Sequence, residues 1–142
     1  MEVSEVRRRL RAAVEEARHS AAERRARTAD AARDYEEFLA QRAIPVFHQF
    51  ATALSGEGHM FKVFTPAESV RLASERSHEE FIELVLDDSA QLPTVLGRTS
   101  RGRGRRMISA ERPVRDGVAI ANLAEEDVLA FLLQEITPFI ER

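Results

Sequence analysis

The sequence predicts an α+β protein: a long, coiled-coil-like N-terminal α-helix, then a small antiparallel β-sheet covered by a C-terminal helix. Three observations predict it. From Ser4 to Ala43 there is neither Gly nor Pro, and Ala, Glu and Arg dominate. Between His59 and Glu111, short apolar runs alternate with turn residues. From Asn122 onward, apolar residues recur at helical spacing behind an acidic first turn. The division that follows is a helix over 1–44 and an α+β head over 45–142.

The first element is built from strong helix formers. Oppositely charged side chains stand four apart, as in Glu5/Arg9 and Arg33/Glu37, and can stitch the exposed face. About 40 helical residues reach roughly 60 Å, longer than a head of this size can cover. A seam runs along it in steps of four and three: Leu10, Val14, Ala17, Ala21, Arg24, Thr28, Ala31, Tyr35 and Phe38. Its ends are apolar, and its middle is alanine interrupted by Arg24 and Thr28. A seam of this kind needs a partner to be ordered, and the expected partner is a second copy, in a homodimer. The alternative is a single charged helix on a monomer. The sequence does not choose between parallel and antiparallel pairing.

Pro45 is expected to stop or kink the helix at Ile44, because it removes a backbone donor and disfavours helical geometry before it. A second, greasier helix is predicted over 45–55, with Val46, Phe47, Phe50 and Leu54 on one face and Ser55–Gly56 closing it.

Strands are predicted at about 59–64, 69–74, 79–87, 94–99, 105–111 and 117–121. In the third, Ile82, Leu84 and Leu86 alternate with Phe81, Glu83, Val85 and Asp87. A helix over 66–86 competes, since Thr65, Pro66 and Glu68 make a good helix start. Its stripe is poor in the middle, so two strands are preferred. Arg98–Arg106 reads as a hairpin turn between strands, with glycines supplying positive φ. The last helix is predicted over 123–137, with Asn122 as N-cap, Glu125 three residues on, and Pro138 bending or ending it.

Charge narrows the function. The chain carries a net −3. Residues 98–117 nevertheless hold seven arginines against two acids, while 45–97 hold three basic residues against eight acidic ones. The stretch "TSRGRGRRM" is therefore a basic island. Arg98, Arg101, Arg103, Arg105 and Arg106 are the candidate anion-binding set. The competing reading is a charged hairpin turn, or internal pairing with Glu79, Glu80, Glu83, Asp87 and Asp88. No aromatic residue is interleaved with the arginines, so base stacking has nothing to use.

Enzymatic chemistry finds no foothold. Without cysteine there is no thiol catalysis, thiolate metal site or disulfide. The four histidines, His19, His48, His59 and His78, lack metal-ligand spacing. No phosphate loop, dinucleotide fingerprint or nucleophile elbow occurs. No cofactor or metal is expected. The start of the chain lacks a signal-peptide apolar core, and no run of about 18 apolar residues exists. The Arg7, Arg8, Arg9 and Arg11 run is a feeble membrane anchor beside so few apolar residues. The expectation is a cytoplasmic, non-enzymatic interaction and oligomerisation module with a possible protein partner. The alternative is a nucleic-acid or other anion binder, with nucleic acid not favoured.

Overall fold

A computed structural model describes residues 1–89 and 92–141. The architecture is α+β in two layers: a five-stranded antiparallel sheet, with two helical elements on one of its faces.

Helix α1 runs Val3–Phe38 and continues through a π-turn, Leu39–Ala43, into α2, Ile44–Gly56. The expected stop at Ile44 does not occur. Pro45 sits in the first turn of α2, and the Ile44 N–H donates to the Leu39 carbonyl, five residues back rather than four. The widened turn makes room for the proline ring, and its missing N–H leaves no donor unsatisfied. The helix therefore passes the proline instead of ending at it.

The sheet is a meander in sequence order: β1 Phe61–Phe64, β2 Val70–Ser74, β3 Phe81–Asp87, β4 Thr94–Arg103 and β5 Arg106–Pro113. The competing helix over 66–86 is not formed. Each strand pairs only with its sequence neighbours, in registers such as Leu72↔Ile82 and Leu84↔Gly97. One face carries Val63, Val70, Leu72, Ile82, Leu84 and Val95 into the core.

The predicted strand at 117–121 is absent. Ile120–Asn122 form a 3₁₀ turn, and Ile120 and Leu123 drop into the core. Arg42, in the π-turn, explains the difference. Its guanidinium donates to the carbonyls of Ala121 at 3.0 Å and Leu123 at 2.7 Å, and the first of these is an acceptor that the predicted strand would use.

Helix α3 spans Glu125–Ile140 and carries Pro138 inside its last turn, two residues before its end. Its N-cap is Ala124 rather than Asn122. The Asp127 carboxylate accepts from the Ala124 N–H at 2.8 Å, so the acid three residues in does the capping.

Tyr35, Phe38, Leu39 and Ala43 share one core with Val46, Phe47, Phe50 and Leu54 of α2, the inner sheet face, and Val128, Phe131, Leu132, Ile136 and Phe139 of α3. The core thus begins well before residue 44.

Candidate functional site

Two regions carry the candidate residues: the N-terminal part of α1 and the tip of the β4–β5 hairpin.

On α1 the seam divides. Ala31, Tyr35 and Phe38 are buried within the chain itself, Tyr35 and Phe38 in its core, so they are not available to a second copy. That corrects their placement in a dimer seam. Sequence spacing could not separate a helix face that meets another chain from one that meets a sheet 40 residues later. Tyr35 also donates its hydroxyl proton toward the Glu68 carbonyl at 2.7 Å, with the Leu84 carbonyl at 3.3 Å. Burial pushes the Tyr35 phenol well above its usual range, and the nearby Glu83 and Glu68 carboxylates push the same way.

Ahead of this, residues 20–28 lie beside the β3–β4 connection. Ser20, Glu23, Arg24, Arg27 and Thr28 line a cleft with Asp88, Ser89 and Pro93. Ser20 and Ala21 are half-buried; Arg24 and Thr28 stay exposed. From Val3 to His19 the helix stands free of the sheet. Leu10 is 61% exposed and Val14 38%, and Val3 and Val6 are exposed as well. Ala17 is exposed too. At 3.6 residues per turn, Val3, Leu10, Val14, Ala17 and Ala21 share one face with Tyr35, and Val6 lies at its edge with Ala31. One stripe therefore runs from the core out along the free segment. Arg7, Leu10, Arg11, Val14, Glu15 and Arg18 line a shallow groove there.

At the hairpin, β4 reaches Arg103, farther than the predicted end at 99. The connection is two residues, Gly104–Arg105, with Gly104 at φ +63°. Positive φ in the first central residue suits the twist of a hairpin and is open to glycine without strain. β3 pairs with β4 only as far as Ser100, so Arg101–Arg103 and their β5 partners project as a two-stranded ribbon. Glu80, just before β3, completes the ladder: its buried carboxylate accepts from the Gly102 N–H at 2.8 Å.

The five candidate arginines are not one cluster. Arg98 faces the outer side of the sheet, in a row of cross-strand neighbours Arg71, Glu83, Arg98 and Glu111. Charges alternate along this row. Arg71 places Nε and Nη2 both 2.8 Å from Oε2 of buried Glu83, and Arg98 meets Glu111 at 3.2 Å. Arg98 is thus paired within the sheet, but its ion-pair partner is Glu111 on the following strand and not one of the anticipated acids at 79–88.

Arg101, Arg103 and Arg106 point to the opposite, helix-side face, and Arg105 sits in the turn. Among the described residues none of these four has an ion-pair partner. Arg103 and Arg106 stand directly across the ladder from each other, a like-charge pairing that opposes hairpin closure. Arg101 and Arg103 border an open cleft of about 790 Å³, with Ser77, Glu80, Pro138 and Glu141 on its other walls.

Among the described residues no three His, Cys, Asp or Glu side chains converge as a metal site would need. His78 instead packs its ring edge-on to Phe64, 5.5 Å between centroids. No described helix is long and apolar enough to cross a membrane. Compared with protein-family models, curated proteins and solved structures, the chain matches none.

Proposed function

We propose that the protein is a non-enzymatic interaction module that forms a homodimer through the free segment of α1. The observation that carries this reading is the exposed stripe of Val3, Val6, Leu10 and Val14 on a helix that leaves its own sheet behind. A solvated helix of about 15 residues is marginal in water, and ordering it takes tertiary or quaternary packing. The stripe continues a face that the same chain already uses for packing, so its chemistry is that of an interface.

Sedimentation equilibrium of the whole protein tests the reading. The expected result is a dimer at tens of micromolar, with Leu10→Glu shifting the population to monomer while far-ultraviolet circular dichroism keeps the sheet signal. A wild-type protein that stays monomeric across that range overturns it.

A second reading rests on a different observation: the projecting ribbon carries four arginines that have no carboxylate ion-pair partner among the described residues. Such a ribbon suits the phosphate backbone of a nucleic acid, where contact is electrostatic and needs no aromatic residue. Fluorescence anisotropy with a labelled duplex tests it. The expected result is salt-dependent binding that is lost when Arg101, Arg103, Arg105 and Arg106 become Ala. Binding that the variant retains overturns it.

A further inference from the structure

We infer that the two copies pair antiparallel through α1, with the two-fold axis at Leu10. This rests on the homodimer reading above and specifies its geometry. The stripe on residues 3–17 shares a face with Tyr35; the β3–β4 connection stands beside residues 20–28, and the chain's own core takes up that face from Ala31 onward. A parallel partner helix would run its own residues 20–38 into them. An antiparallel one runs the other way, past Val3 and into open space, carrying its sheet to the far end.

Val3, Val6, Leu10, Val14 and Ala17 are separated by three, four, four and three residues, the same read from either end. Reversal about Leu10 sets Leu10 against Leu10 of the second copy, Val6 against Val14, and Val3 against Ala17. The seam closes at Ala17, one turn before Ser20 and Ala21, where the chain's own β3–β4 connection begins to cover the helix. The self-complementary stretch therefore ends where the helix first gains cover from its own chain, at Ser20 and Ala21. A two-fold interface uses one patch twice, and this stripe meets that requirement along its own length.

Arg7 and Glu15 lie on one flank of the stripe, two turns apart, beside the same groove. Reversal brings Arg7 of each copy beside Glu15 of the other, two ion pairs related by the axis. Arg11 approaches its own image at the centre, with Glu15 of both copies one turn away to offset it. Of the other charges on the segment, Arg8 and Arg9 both pair with Glu5, and His19 contacts Glu23.

The chain has no cysteine, so each introduced thiol reports alone. Val6→Cys and Val14→Cys variants of the full chain are prepared separately, one carrying a mass tag, then mixed and oxidised under native conditions. Antiparallel pairing predicts that the mixture forms the mixed disulfide several-fold more than either variant forms its own. Leu10→Cys alone should cross-link to itself, as a residue on the axis must. A Val6→Cys disulfide with itself that exceeds the mixed product overturns antiparallel pairing while leaving the homodimer standing. No dimer by sedimentation overturns the homodimer itself. Sedimentation of each variant shows whether the substitution preserves the assembly, and circular dichroism shows whether it preserves the fold.

Discussion

The tip of the Phe131 ring occupies the space that a side chain on Gly97 would need: a Cβ there would stand 1.9 Å from Cζ. Gly97 lies in the middle of β4, opposite Leu84 on one side and Arg112 on the other. Arg112 closes over the same ring, 4.5 Å from its centroid, and pairs with Glu135 of α3. One glycine thus lets α3 sit close to the sheet.

Gly97→Ala should be strongly destabilising. Phe131 is fully surrounded and cannot retreat without opening the core, and overpacking of this kind costs roughly 1–3 kcal/mol. Urea denaturation should show a lower midpoint with little change in slope. A substitution that leaves the midpoint in place would mean that α3 is not seated as described. Phe131→Leu in the Gly97→Ala background should recover part of the loss, because it removes the ring tip.

Tyr35→Phe removes a buried hydroxyl whose shorter hydrogen bond goes to the Glu68 carbonyl. The expected cost is about 1–2 kcal/mol near neutral pH. The pH dependence has a definite sign. The folded phenol has its pKa raised by burial and then by Glu83 and Glu68, so the neutral form is favoured in the folded state. Its contribution is full below the unfolded value near 10 and is lost as pH rises from there toward the folded value. Thermal melts of wild type should fall off above about pH 10 more steeply than those of Tyr35→Phe. Parallel curves would contradict the assignment.

Arg71 and Glu83 should be energetically coupled. Glu83 is buried on the outer sheet face, and Arg71 stacks over Phe81, 4.1 Å from the ring centroid. The Arg71 side chain keeps a third of its surface in water, which tempers the Coulomb attraction. A double-mutant cycle with Arg71→Ala and Glu83→Ala should give a coupling of about 1–2 kcal/mol, and Arg71→Ala should cost more than the double variant relative to Glu83→Ala. Simple additivity would show that the two side chains do not act together.

The sheet was legible because alternation and turn residues are local signals. Ile82, Leu84 and Leu86 against Glu83 and Asp87 fix a strand without knowledge of anything distant. The passage through Pro45 was not legible, since a π-turn depends on how Leu39 and Ala43 pack into a core drawn from the rest of the chain. The stretch 117–121 reads as a strand on pattern alone. What decides it is Arg42, about 80 residues earlier, whose guanidinium takes the carbonyls. The arginine cluster was legible as a basic island. That Arg98 belongs to an outer charge row and Arg101, Arg103 and Arg106 to the inner face depends on register, which a period-two pattern sets only once a partner strand is known.

The meander has a kinetic consequence. Every ladder joins neighbours in sequence, so the sheet can zip hairpin by hairpin with short loops to close. The layer above it is assembled from the opposite ends of the chain, as the reach of Arg42 to Leu123 shows. The nucleus of folding is therefore expected in β2–β3–β4, with docking of α2 and α3 afterwards. During synthesis α1 emerges before any strand that could shelter Tyr35 and Phe38. Their exposure ends only when β3 and the Ile120–Asn122 turn, which pack against the end of α1, have left the ribosome, which makes the nascent chain, rather than the finished protein, the form most open to wrong association.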